Sequence, residues 1–253
     1  MSFSAIHQPN FLPWMGYFSK IAKVDTFIFF DSVAMSNGKT WTSRCQILVN
    51  GKEHWLTLPV RRSGRGGQRI CEVELLDFAQ NWRKTLKTLR HAYGRAVHFD
   101  AVFPFLETFE TENFTLLADF NAQFIEKTSA ELGFKTQFLR SSAKPELMKS
   151  SDLKTDYIIQ TCEAFGVKNY VSGRGGSLLF LEKEKFGEAG ISVDFQGFTP
   201  PPYAQLNTTH YVSGLSIIDV LMCCGWTETK KLDRKSTRLN SSHLDLSRMP
   251  SSA

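Results

Sequence analysis

The sequence predicts an α/β fold: a Rossmann-like, mostly parallel sheet with a β-hairpin insertion and a helical segment, all in one domain over residues 1–232. Three observations carry that prediction. Residues 5–33 (AIHQPNFLPWMGYFSKIAKVDTFIFFDSV) read as strand, loop, helix and returning strand, and about thirty residues is the size of one right-handed βαβ crossover. From Phe134 onward, strand-length apolar runs again alternate with helical patterns, which implies parallel strands covered by helices. Between these regions, Asn37-Gly38 and Asn50-Gly51 flank runs of strand character, and Asn-Gly is the strongest short hairpin signal.

The elements follow in order. The first strand, residues 3–6, stops at His7-Gln8-Pro9 because proline lacks the N–H that would continue a ladder. Pro13 suits a first helical turn, where its missing donor costs nothing. Trp14, Tyr17, Phe18 and Ile21 then recur at helical spacing, in a helix reaching Lys23. TFIFF returns as the second strand and ends at Asp31. Strands over 40–49, 54–60 and 70–76 are expected to build the insertion, about residues 36–76, around a basic glycine-rich loop at 61–69 (RRSGRGGQR). A helix over 78–93 puts Trp82, Leu86 and Leu89 on one face, and helical pattern resumes over 103–132, closing at Gly133 as a C′ glycine. A strand over 134–139 comes next, then a helix capped by Ser150, Ser151 and Asp152 that runs to Phe165. Residues 168–172 form a strand that leads into Ser172-Gly173-Arg174-Gly175-Gly176, followed by a helix to Glu184 and a strand over 191–196. TPPP (199–202) is a stiff extended loop, and 215–224 (LSIIDVLMCC) is an apolar element with a single acid, Asp219.

Apolar and charged fractions of 42% and 22% are those of a globular protein, and 253 residues suffice for a sizeable core. No apolar run reaches the roughly 20 residues of a membrane span, and the N-terminus lacks a signal-type pattern, so a cytoplasmic protein is expected. Five cysteines without CxxC spacing imply neither a metal site nor a disulfide framework.

Residues 233–253 (DRKSTRLNSSHLDLSRMPSSA) change abruptly to a Ser/Arg-rich segment without apolar period. DRKSTRLNSSH and SRMPSSA match, in order, the translation of a common sequencing-library adapter. The segment is therefore read as a non-native, disordered tail and set aside from the fold. It holds four Lys/Arg and two Asp, so the formal charge without it falls from +5 to +3. That weakens any case for nucleic-acid binding, and no nucleic-acid motif is present.

Several residues could carry chemistry. His7 and Gln8 close the first strand, at the edge where α/β sheets bind ligands, with Asn10 and Trp14 on the loop and helix that follow. Asp31 ends the second strand, where a carboxylate can hold a ribose hydroxyl, a magnesium ion or an amine, or simply start a turn. The Ser172, Gly173, Arg174, Gly175, Gly176 turn can cradle an anion on backbone N–H groups, with Arg174 as a forked donor. The same pattern also serves ordinary strand-to-helix turns. Lys39, Trp41 and Arg44 surround the first hairpin, where Trp41 can stack on a ring or pack and Arg44 can reach an anion or solvent. Gln196, Tyr203 and Gln205 frame the proline loop as a polar wall. Asp219 reads as a buried hydrogen-bond anchor.

Four stretches together resemble the WbqC-like protein family: IHQPNFLPWMGYFSKI with the following DTFIFFD, YVSGRGG, VDFQGFTPPPYAQ and LSIIDVLM. The likeness covers about residues 2–232, with Ala34 and Leu179-Phe180 departing from the usual pattern. The resemblance implies a bacterial protein of surface-polysaccharide (O-antigen) assembly that modifies a nucleotide-linked or lipid-linked amino sugar by N-acyl or glycyl transfer. The opening also resembles nucleotidyltransferase-type enzymes in architecture, though without their paired histidine motif. That likeness implies ATP, with Mg, activating a carboxylic acid as an acyl-adenylate; a nucleotide-sugar-binding module without catalysis is the alternative. His7, Gln8 and Asp31 would be the catalytic set. The residues leave open the acyl donor, the acceptor, the metal requirement and the oligomeric state.

Overall fold

Short strands with apolar side chains on both faces decide the architecture. A computed structural model describes residues 1–36, 38, 40–61, 66–150, 154–174 and 181–245, with backbone only for 232–245. Strand β1 (Ser4–His7) sends Ala5 into one core cluster and Ile6 into another; β2 (Thr26–Phe29) splits Phe27 and Phe29 from Ile28 in the same way. A strand buried on both faces needs helices on both sides, the condition under which parallel sheets form. β1 pairs in parallel with β2 from Ser4↔Thr26 to His7↔Phe29, and β2 with β5 (Gln137–Arg140). On the other side β6 (Asn169–Ser172) pairs in parallel with β1, and β7 (Ser192–Phe195) with β6.

The sheet order is β5-β2-β1-β6-β7. The chain steps outward from β1 to β2 and β5, then crosses back to lay β6 and β7 beyond β1. The direction of winding therefore reverses between β1 and β6, and doubly wound sheets bind ligands in the crevice at that point. One face is covered by α1 (Met15–Ile21), α4 (Leu117–Glu131) and the apolar start of α8 (Ile217–Asp245), with α2 (Phe78–Tyr93) and α3 (Phe99–Glu107) packed outside them. Ile158 and Cys162 of α6 (Lys154–Ala164) and Phe186 of α7 (Lys183–Glu188) cover the other face. A short α5 (Pro145–Lys149) precedes α6.

The hairpin forms as β3 (Arg44–Val49) and β4 (Lys52–Thr57) around Asn50-Gly51, both with positive φ. The expected strand over 70–76 is instead a 3-10 turn, Ile70–Glu72, linked to its neighbours by single bridges. The reason is local: Ile70 and Cys71 donate their N–H groups to the Val33 and Asp31 carbonyls, while the Glu72 carboxylate turns back to the Arg69 N–H. The helix expected over 103–132 is broken in two, because Leu116 bridges Glu74 and Leu75 N–H bonds to the Thr115 carbonyl. The caps read at Ser151 and Asp152 lie outside the described residues. Helix α8 departs from helical geometry at Gly225 (φ 72°, ψ 172°) and its backbone continues to Asp245, into the stretch read as a disordered tail. No helix of the described residues is long and apolar enough to cross a membrane.

Candidate functional site

A cavity of about 510 Å³ opens at the reversal point between β1 and β6. β1 supplies His7, the loop after it Asn10, α1 contributes Tyr17 and Lys20, and the turn after β6 brings Gly173 and Arg174. The loop from Pro9 to Trp14 is held from three sides. Asn121 donates its amide to the Pro9 carbonyl (2.9 Å), Phe11 N–H bonds to the Trp41 carbonyl (2.9 Å), and Ser216 Oγ donates to the Leu12 carbonyl (2.7 Å). Leu12 sits at φ 40°, a strained conformation for a branched side chain, and such strain persists only where surroundings impose it.

His7 is neutral in this setting. Its Nδ1 lies 3.1 Å from the Gln8 carbonyl oxygen. A carbonyl can only accept, so the proton sits on Nδ1 and Nε2 keeps its lone pair. Burial, reinforced by the Lys20 charge, lowers the imidazole pKa from 6.5 to about 3. Tyr17 packs edge-on to the ring at 4.8 Å and donates its hydroxyl to the same Gln8 carbonyl (3.0 Å).

Lys20 is the unexpected member. Its side chain is 4% exposed, and among the described residues no carboxylate pairs with its ammonium. Burial alone lowers its pKa from 10.5 to about 8. The ammonium lies hard against the β6 turn: a Cβ on Gly173 would stand 3.2 Å from Lys20 Nζ. None of the described residues lining the cavity is acidic. Its walls are apolar and aromatic, with Trp14 edge-on to Phe198 at 5.6 Å and Trp41 at the rim, while Gln196 donates its amide to the Gly16 carbonyl. A second cavity of about 460 Å³ adjoins it and is also lined by Arg174, together with Lys183, Glu184 and Phe195.

Of the sequence-derived candidates, His7, Asn10, Trp14, Trp41, Gly173, Arg174 and Gln196 line the first cavity. Others stand apart. Gln8 offers its carbonyl to His7 and Tyr17, and its side chain is not part of the lining. Asp31 is fully buried and saturated by Arg140 Nε (2.7 Å), Ser141 Oγ, Ser142 N–H and Ser142 Oγ, which leaves its carboxylate no capacity for a ligand. Ser172 is buried, and its carbonyl accepts the Gln196 N–H. Arg44 lays its guanidinium over Trp55 at 3.8 Å. Tyr203 and Gln205 both donate to Asp219, whose pKa burial raises and these bonds lower in part; Tyr93 is the third donor. Lys39, Gly175 and Gly176 lie outside the described residues. Sequence reasoning missed Lys20, Tyr17, Phe198 and Ser216. The one available signal for Lys20 was a lone cation in MGYFSKI, a helix whose residues are all buried.

Among the described residues, no group of three or more His, Cys, Asp or Glu side chains is placed to hold a metal ion. A family model described as the WbqC-like protein family matches residues 8–231. The chain is also 31% identical to the uncharacterized protein Rv1507c of Mycobacterium tuberculosis over 226 residues, covering 87% of this chain and 93% of that one. No solved structure matches the chain.

Proposed function

The chain belongs to the WbqC-like protein family, and on that premise we propose that it modifies an amino sugar by N-acyl transfer in surface-polysaccharide assembly. The observation that carries the reading is His7: a neutral imidazole with a free Nε2 lone pair, in a cavity where the sheet reverses its winding. In the reaction, a carboxylate attacks the α-phosphorus of ATP, forming an acyl-adenylate and releasing pyrophosphate. The sugar amine then attacks the acyl carbon and expels AMP. The attacking nitrogen becomes more acidic by several pKa units as the C–N bond forms, and His7 Nε2 is placed to take its proton. Arg174, which lines both cavities, would stabilise charge on the phosphate. Trp14, Trp41 and Phe198 offer faces and edges for a sugar ring, and Asn10 and Gln196 supply polar contacts for its hydroxyls.

Incubating the protein with ATP, glycine and a UDP- or dTDP-linked amino sugar tests this directly. The expected product is an acylated sugar detected by mass spectrometry, lost in His7→Ala. Absence of both ATP turnover and adduct across a panel of carboxylic donors refutes it. One observation favours a binding module without chemistry as the second reading: at a pKa of about 3, His7 is a weak base toward an amine. In that case His7→Ala weakens nucleotide-sugar binding and there is no turnover to lose.

A further inference from the structure

We infer that the cavity seats its ligand through a doubly anionic phosphate group held between the Lys20 ammonium and the Arg174 guanidinium. This deepens the reading above by naming the anchor of the bound sugar, and it rests on that cavity being the working site. The argument begins with charge. Lys20 and Arg174 both face the cavity, whose described lining residues include no acid; among the described residues of the second cavity, which Arg174 also lines, the one acid is Glu184, with Lys183 beside it. Lysine usually escapes burial by extending its stem until the ammonium meets water. Lys20 cannot do so, for at 4% exposure the space its head group reaches is this cavity. An unpaired buried ammonium is costly unless something completes it; no described side chain takes that role, and an anionic ligand in the cavity would.

The kind of anion follows from the geometry. Lys20 is a compact point charge at the floor, whereas Arg174 is an exposed fork at the mouth. Gly173 directly precedes Arg174, and a Cβ there would sit 3.2 Å from Lys20 Nζ. A side chain at 173 would therefore crowd the Lys20 ammonium, which glycine does not. A carboxylate would neutralise one of the two cations. A phosphate monoester near neutral pH carries about −1.5 to −2 and several acceptor oxygens, which matches both. A diphosphate diester carries the same charge spread over a longer reach. The remaining volume, walled by Phe11, Trp14, Trp41 and Phe198, is shaped for the group attached to the phosphate rather than for a free inorganic ion.

Calorimetric titration of the full chain with inorganic phosphate, pyrophosphate, a sugar 1-phosphate, a UDP-sugar, uridine, free N-acetylglucosamine and malonate, at constant ionic strength, tests the assignment. The phosphorylated probes should bind, and the two uncharged probes should not bind at the same concentrations. Tighter binding of the sugar 1-phosphate identifies a monoester as the anchor; tighter binding of the UDP-sugar identifies a diphosphate. Lys20→Met should weaken the best probe by about tenfold or more, and the surface variant Arg174→Gln should weaken it by a smaller factor. Affinity in the unaltered chain should also fall as pH rises from 7 to 9.5, which keeps the assignment testable should Lys20→Met fail to fold. Undiminished binding by Lys20→Met, malonate binding as tightly as the phosphates, or no response to any phosphorylated probe would overturn it. Phosphate binding without turnover removes the acyl-transfer reading alone. Turnover of a phosphate-free amino sugar removes the phosphate seat alone.

Discussion

Replacing Lys20 by methionine should make the unliganded protein more stable, an unusual outcome for a change inside a candidate site. Methionine keeps an unbranched stem of similar length, so little packing is lost, and it removes a charge that no described side chain completes. The size of the effect follows from the ammonium's pKa. A fall from 10.5 in the unfolded chain to about 8 in the folded one corresponds to roughly 3 kcal/mol against the folded state. The sign follows from proton uptake: between pH 8 and 10.5 the unfolded chain binds more protons, so stability rises with pH through that window. The penalty is therefore full at pH 7 and is progressively relieved above pH 8. Lys20→Met should exceed the unaltered chain by about 2–3 kcal/mol at pH 7, or about 5–10 °C in Tm for a domain of this size. The margin should shrink at pH 9.5. Urea unfolding at pH 7, 8.5 and 9.5, in buffers free of phosphate, measures it. A variant less stable at pH 7, or a margin indifferent to pH, would refute the reading that this ammonium is buried with no carboxylate partner among the described residues.

Acid should act through His7. Its folded pKa of about 3, below the ordinary 6.5, means that stability falls as pH drops from 6.5 toward 3; His7→Gln, followed by thermal unfolding at pH 4 and 7, should show a shallower loss. Arg140→Met leaves the buried Asp31 carboxylate with serine and backbone donors only, and should cost roughly 2–4 kcal/mol in urea titrations. Asp219→Asn replaces an acceptor of three donors by a group that itself donates, opposing Tyr93, Tyr203 and Gln205. A loss of roughly 1–3 kcal/mol is expected, while Tyr203→Phe alone should cost less.

Periodicity and punctuation made most of the fold legible. Pro9 ends β1, Asn50-Gly51 turns the hairpin, and Gly133 and Gly166 close helices at positive φ. These are backbone effects that a short window contains. The 70–76 segment was misread because its pattern suits a strand, and what overrides that pattern is hydrogen bonding to Asp31 and Val33, some forty residues earlier. The site divides along the same line. His7, Gly173 and Arg174 sit at strand ends, and strand ends are visible in sequence. Ser216 and Phe198 reach the cavity only because α8 and the loop after β7 fold back against residues 12–16, with Ser216 bonding Leu12 and Gln196 bonding Gly16. No local pattern announces such a return.

What finally separates a site residue from a structural one here is whether its charge is completed inside the protein. Asp31 and Asp219 are both fully buried, and each is met by several donors from distant parts of the chain. Asp31 ties the end of β2 to the turn after β5, and Asp219 ties α8 to α2 and to the loop after β7. Both ties lie next to the cavity's frame: β2 pairs with β1, Phe29 opposite His7, and Ser216, which lines the cavity, immediately precedes α8. The carboxylates therefore rigidify the frame and have no bonding capacity to spare. Lys20 is buried to nearly the same degree and, among the described residues, has no carboxylate to answer it. A fold that saturates two buried acids and leaves one buried ammonium open has placed its unmet electrostatic demand at the reversal of the sheet, and a charged ligand is what meets it.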